Sequence, residues 1–258
     1  MTMMSHASHI ATVRQFARAI FADRLIGDEL TRLALAKVNI DPKSSTESLP
    51  DLLHAFLHTW RMASSGRRSE ESLFSDEALL AALPEPPGNE RLMLLLVDVM
   101  NFTPETAAQI IAVKGQDPLS ILQKGRQVIS LPRSAKAIII EDEPLIAADL
   151  RDIMTSIGVE VCGEANTADK AISMSQQKKP NIILADYNLI GMKTGADAVM
   201  EIQESLNCPV VFITGYPEQV LTGEDVEPDF VIAKPYRIES VKAAVAHCLD
   251  VERAQIMH

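Results

Sequence analysis

Two hydrophobic periodicities divide this chain. In its second half, short β-branched apolar runs recur at strand length: Ala137–Ile140, Val159–Val161, Asn181–Ala185, Val210–Thr214 and Phe230–Ala233. Between them the apolar positions return every three to four residues, over Leu145–Ser156, Ala168–Gln177, Ala196–Glu204 and Ile238–Leu249. Gly158 stands as a stop after the first of these helices, and a short helix over Glu218–Thr222 fills the remaining interval. Runs that are apolar on successive residues, rather than alternate ones, are strands buried on both faces. Strands alternating with helices in this way predict a parallel sheet with helices on either side, an α/β flavodoxin-like (βα)5 domain over residues 136–250.

The first half carries no strand pattern. Amphipathic helical patterns cover His9–Phe21, Asp28–Val38, Leu49–Met62, Asp76–Leu83, Glu90–Met100, Pro104–Val113 and Leu119–Ile129. Breaks fall at Asp41-Pro42, Ser64-Ser65-Gly66 and Pro84-Glu85-Pro86-Pro87-Gly88. The Ser/Gly/Arg stretch from Ala63 to Ser69 reads as a linker, so two helical parts are expected, residues 1–62 and 76–131, with 63–75 between them. The six-residue joint Leu131–Lys136 then leads into the sheet.

Composition narrows the class. At 258 residues the chain can bury two independent cores. It holds no apolar stretch long enough to span a bilayer, and Met1–Phe16 lacks the charged-then-apolar order of a signal peptide. Cys162, Cys208 and Cys248 form no metal-ligand cluster, which fits a cytoplasmic setting. Residues 1–134 carry 14 basic and 15 acidic side chains, whereas 135–258 carry 10 and 20, so the net charge of −11 lies almost wholly in the second half. Neither half has the basic excess of a nucleic-acid binder.

The ends of the predicted strands carry the chemistry. In order they present Glu141-Asp142, Asp186, Thr214 and Lys234. A parallel sheet gathers the carboxyl ends of its strands on one edge, where open α/β folds bind ligands. Three carboxylates converging there resist ionising together unless a divalent cation neutralises them. Mg²⁺ suits such a set, with Asp142 and Asp186 as direct ligands, Glu141 acting through a metal-bound water, and the backbone carbonyl of Asn188 as the third protein ligand. Asp186 is then placed to attack a phosphoryl group in line and form an acyl phosphate. Lys234 would offset charge on the equatorial oxygens, and Thr214 would hydrogen-bond the new phosphate.

With these positions matched in order and spacing, residues 136–250 resemble a response-regulator receiver domain. The run Phe212-Ile213-Thr214-Gly215-Tyr216 further resembles a receiver subgroup with an aromatic residue two places after the threonine. One position departs from the pattern. Val231 stands three before Lys234, where many receivers carry a switching aromatic, leaving Phe230 or Tyr216 to serve instead.

In the helical half, Thr103-Pro104, Lys114-Gly115 and Asp117-Pro118 punctuate a helix-turn-helix. Glu90–Val113 resembles region 4 of extracytoplasmic-function sigma factors, and the helices over about 8–62 more loosely resemble region 2. Yet the would-be recognition helix begins Leu119-Ser120-Ile121-Leu122 and offers only Gln123, Lys124, Arg126 and Gln127 to DNA. Gly125 in its middle should cost about 1 kcal/mol of helix stability. Sigma-like shape without DNA-reading chemistry points to mimicry.

A sigma-like module placed before a receiver resembles the PhyR family, the response regulators of the alphaproteobacterial general stress response. That resemblance implies a phosphoprotein rather than a turnover enzyme. A sensor histidine kinase would phosphorylate Asp186, and the freed sigma-like domain would bind a NepR-like anti-sigma factor and release the true sigma factor. A DNA-binding response regulator and a phosphate-sink receiver are the alternatives. Among the remaining residues, His54 and His58 read as a helix surface, Arg67-Arg68 as an exposed linker, and Met93 and Met100 as core, while Trp60 suits either a core or an interface.

Overall fold

The computed structural model describes residues 6–21, 24–37, 48–64, 83, 85–128, 135–220 and 228–256. The chain divides into two compact units, Met1–Val128 and Ile129–His258. Most of the expected helix Asp76–Leu83, the linker beyond Ser64 with Arg67-Arg68, residues 131–134 of the joint and Thr222 lie outside the described residues.

The described residues of the first unit form helices joined by turns, with no strand among them: α1 (His6–Ile20), α2 (Arg24–Lys37), α3 (Leu49–Ser64), α4 (Asn89–Leu94), α5 (Pro104–Ile110) and α6 (Pro118–Val128). Aromatic residues knit α1 to α3. Phe16 meets Phe56 edge to face at 6.0 Å, and Phe21 lies 4.4 Å from Trp60. Trp60 is fully buried, which makes it a core anchor, and Met93 is core as expected. The expected capping holds α5 and α6 at their starts: Thr103 Oγ1 accepts from the Thr106 amide at 3.2 Å, and Asp117 Oδ2 from the Ser120 amide at 3.0 Å.

One feature of this unit departs from expectation. The helix over Glu90–Met100 is not uniform: after Leu94 it widens into one turn of π-helix, Leu95–Val99. Within that turn Asp98 is buried, 1% exposed on its side chain, and Arg126 of α6 donates to both its oxygens at 2.6 and 2.9 Å. His54 is exposed on the surface of α3, as expected, and has a partner there. Its Nδ1 lies 2.9 Å from the Ile110 carbonyl, while Arg61 donates to the Ile111 carbonyl at 2.7 Å and to Asn89 Oδ1 at 3.0 Å. Polar side chains of α3 thus satisfy carbonyls at the end of α5, which helical bonding leaves open.

The second unit is a five-stranded parallel sheet in the order β2-β1-β3-β4-β5. Its strands are β1 (Lys136–Ile140), β2 (Glu160–Ala165), β3 (Ile182–Ala185), β4 (Val210–Thr214) and β5 (Phe230–Ala233). Helices α7 (Pro144–Ser156), α8 (Ala168–Lys178), α9 (Gly195–Gln203), α10 (Pro217–Val220) and α11 (Ile238–Ile256) connect and follow them. Central strands β1, β3 and β4 are buried almost throughout, the reason their sequences read as unbroken apolar runs. Strand β2 runs well past the expected Val159–Val161, because an edge strand half open to solvent accommodates Cys162, Gly163 and Glu164. Asn181 lies outside β3; its side chain accepts from the Lys136 amide at 2.9 Å, closing the start of β1. No described helix is long and apolar enough to cross a membrane.

Candidate functional site

The strand order reverses direction at β1, whose neighbours are β2 and β3, and such switch points open a crevice at the carboxyl edge. Ladder bonding continues one residue past the strands: the Glu141 amide donates to Ala165 O at 2.9 Å, that of Asp186 to Ile140 O at 2.8 Å, and that of Lys234 to Thr214 O at 2.8 Å. The backbone therefore fixes where these side chains leave the sheet. Glu141, Asp142 and Asp186 each bring one oxygen into a group lying within 4.8 Å of one another. Lys234 Nζ joins them, donating to Asp186 Oδ2 at 2.7 Å and to Glu141 Oε2 at 2.8 Å.

Three further oxygens of the cluster accept from backbone amides. Glu141 Oε1 accepts from the Glu143 amide at 3.2 Å, Asp186 Oδ1 from the Asn188 amide at 3.2 Å, and Asp142 Oδ2 from the Ile190 amide at 2.9 Å. Burial pushes the Glu141 carboxyl above its ordinary range, despite the hydrogen bonds from Lys234 and Glu143 that oppose the shift. Burial alone would depress the Lys234 ammonium, but its bonds to Asp186 and Glu141 outweigh that and raise it. The two directions oppose each other across one ion pair for a physical reason. The Glu141 side chain has no solvent exposure, whereas Lys234 keeps 15% and faces the carboxylates of Asp186, Glu141 and, at 4.0 Å, Glu143. Three clustered carboxylates with Lys234 beside them present hard oxygen donors of the kind that suit a divalent cation.

Thr214 ends β4 fully buried, its Oγ1 accepting from the Tyr216 amide at 3.2 Å. Of the two aromatics that could replace the one missing at Val231, Phe230 is packed in the core, edge to face with His247 at 5.5 Å. Tyr216 instead stands 55% exposed, joined through its backbone to the threonine. Val231 is half-buried against the core cluster.

Two contributors were not evident from sequence. Gly195 begins α9 where any Cβ would lie 1.8 Å from the Asp186 carbonyl oxygen, so only glycine lets the helix start this close to Asp186. The T-x-x-D capping box of Thr194 and Asp197, present in the structure, was the available sign of that helix start. Tyr236, two residues after Lys234, donates to Asp149 Oδ2 on α7 at 2.9 Å. No sequence spacing signals a partner 87 residues away.

A parallel (βα)5 sheet with clustered acids at its switch point and a strand-end lysine defines the receiver class of response regulators. Residues 137–246 match the family described as the response regulator receiver domain. The resemblance extends well beyond that domain. The chain is 32% identical to phyllosphere-induced regulator PhyR of Methylorubrum extorquens, over 95% of this chain and 93% of that one. The crystal structure of PhyR from Brucella abortus matches with a TM-score of 0.78 at 31% identity, covering 97% of this chain and 95% of that one. Anti-anti-sigma factor PhyR from Bartonella quintana matches with a TM-score of 0.75 at 30% identity, over 97% and 96%. With both units so matched, the chain belongs to the PhyR family of response regulators.

Proposed function

We propose that this chain is a phosphorylation-activated anti-anti-sigma factor. Phosphorylation of Asp186 makes the helical unit available to a NepR-like anti-sigma factor, which it sequesters, releasing the sigma factor for stress-response transcription. The observation that carries this reading is the position of Asp186: one oxygen touches Lys234 and the carboxylate lies against Glu141 and Asp142, in a chain whose relatives include named anti-anti-sigma factors. PhyR of Bartonella quintana has been crystallised in complex with the anti-sigma factor NepR. In this reading residues 1–62 and 76–131 mimic sigma regions 2 and 4, and 136–250 receive the phosphoryl group.

The chemistry follows from the residues at the edge. An Asp186 carboxylate oxygen attacks the phosphorus of a histidine kinase's phosphohistidine, the P–N bond breaks, and an acyl phosphate forms on the aspartate. Asp142, Asp186, the Asn188 carbonyl and, through water, Glu141 would hold Mg²⁺, which supplies charge neutralisation at the phosphoryl oxygens. Lys234, already bonded to Asp186, exchanges a carboxylate oxygen for a phosphoryl oxygen. Thr214 lies at the neighbouring strand end and offers its hydroxyl to the same group. The chain is modified once per activation and is not a turnover enzyme. It would work in the cytoplasm, where its three free thiols stay reduced.

The DNA-reading alternative loses ground at α6. Arg126, one of its two cations, is bound to buried Asp98, and the buried face is Ile121, Leu122 and Gly125. The direct test is intact mass after incubation with acetyl phosphate and Mg²⁺. Wild type should gain one phosphoryl group and Asp186→Asn none; equal labelling of the variant would place the acceptor elsewhere. A phosphate sink would pass that test but show no phosphorylation-dependent protein partner.

A further inference from the structure

The loop that carries Lys234 is anchored on two sides. On one, the Lys234 amide donates to Thr214 O at 2.8 Å. On the other, the half-buried Tyr236 reaches across to α7 and donates its hydroxyl to Asp149 Oδ2 at 2.9 Å. Helix α7 starts at Pro144, directly after Glu141, Asp142 and Glu143. This side-chain bond therefore ties the segment bearing the lysine to the helix that follows the acidic pair. Burial raises the Tyr236 phenol well above its ordinary value, with the bond to Asp149 acting in the same sense, so the hydroxyl remains a donor at neutral pH. The tie matters because Lys234 is long and flexible, and an unheld lysine loses much rotamer freedom when it docks. Displacement of a positioning group by about 1 Å can cost on the order of a hundredfold in rate.

We propose that Tyr236 and Asp149 form a positioning pair that holds Lys234 for phosphoryl transfer to Asp186 without contributing to cation binding. The inference rests on Asp186 as the phosphoryl acceptor. It separates two properties of one pocket. The carboxylates bind the cation, and Lys234 competes with it for their oxygens, so loosening the lysine leaves cation affinity intact or improves it. The same loosening slows the reaction, because the lysine no longer waits where the phosphoryl oxygens arrive.

The experiment uses the full chain as wild type, Tyr236→Phe, Asp149→Ala and the double variant. Phosphorylation by acetyl phosphate is timed by intact mass, and MgCl2 affinity is measured by calorimetry without any phosphodonor. Each single variant should react about three- to tenfold more slowly, the range set by losing one oriented hydrogen bond. The double variant should be no slower than the slower single, and Mg²⁺ affinity should stay within about twofold of wild type or tighten. An unchanged rate in Tyr236→Phe would overturn the inference. So would multiplying effects in the double variant, or Mg²⁺ affinity falling in step with rate, which marks a pocket that has merely loosened. Wild type that gains no phosphoryl group at Asp186 would instead overturn the reading of the acceptor, and this pair with it.

Discussion

Asp186 owes its place to backbone as much as to its charged neighbours. Its amide is bonded to the end of β1 and its carbonyl is faced by Gly195, so the strand end and the start of α9 define one position together. Gly195→Ala would put a methyl group 1.8 Å from that carbonyl oxygen, which cannot move without moving Asp186. We expect a loss of about 1–3 kcal/mol in urea unfolding followed by circular dichroism, together with slower labelling by acetyl phosphate. Tyr236 yields a prediction in pH. Its folded-state pKa is raised, so the folded chain keeps the phenolic proton when the unfolded chain begins to lose it near the ordinary value of 10.0. Stability from this group is complete below that value and is lost progressively as the pH rises from there toward the raised folded-state value. Between about pH 9 and about pH 11 the urea midpoint of wild type should therefore fall further than that of Tyr236→Phe, and parallel curves would contradict the assignment. Acids and a lysine at strand ends are legible because strand ends are legible. Gly195 and the Tyr236–Asp149 bond are not, since each is defined by a neighbour that only the folded chain supplies.

At the scale of elements, α6 shows why an unfavourable residue can be required. Glycine lowers helix stability by about 1 kcal/mol relative to alanine, so Gly125 looks misplaced in sequence. In the fold, a Cβ there would lie 2.5 Å from the Glu90 carbonyl oxygen of α4, and glycine is what lets the two helices approach this closely. Gly125→Ala should consequently destabilise the helical unit by about 1–2 kcal/mol despite the better propensity. The fluorescence of Trp60, the single tryptophan and a core residue of that unit, reports the shift in urea midpoint. A stabilised variant would show that the backbone approach is not limiting. The central strands are readable from apolar runs, whereas only the start of β2 is, because edge exposure frees Cys162, Gly163 and Glu164 from the apolar pattern. Periodicity also runs through Leu95–Val99 without revealing the π-turn, since residues 92–98 are all buried and carry no one-sided stripe whose phase could shift.

For the whole molecule, the two periodicities read in sequence correspond to two compact units, and the similarity to PhyR spans both of them. The receiver's chemistry is local, so the account stands on whether charge at Asp186 controls what the helical unit binds. Moving a two-state population from 1:99 to 99:1 takes about 5.5 kcal/mol of differential affinity, more than a single hydrogen bond supplies, so phosphate and anti-sigma factor would share the work. Linkage then requires that the anti-sigma factor also favour the phosphorylated state. The most direct test is the affinity of the full chain for the proposed partner, a NepR-like anti-sigma factor, measured by calorimetry with Mg²⁺ and beryllofluoride, for wild type and Asp186→Ala. The account predicts binding by wild type tighter by about tenfold or more, a gap that closes when beryllofluoride is withheld. Equal affinities under both conditions would contradict it.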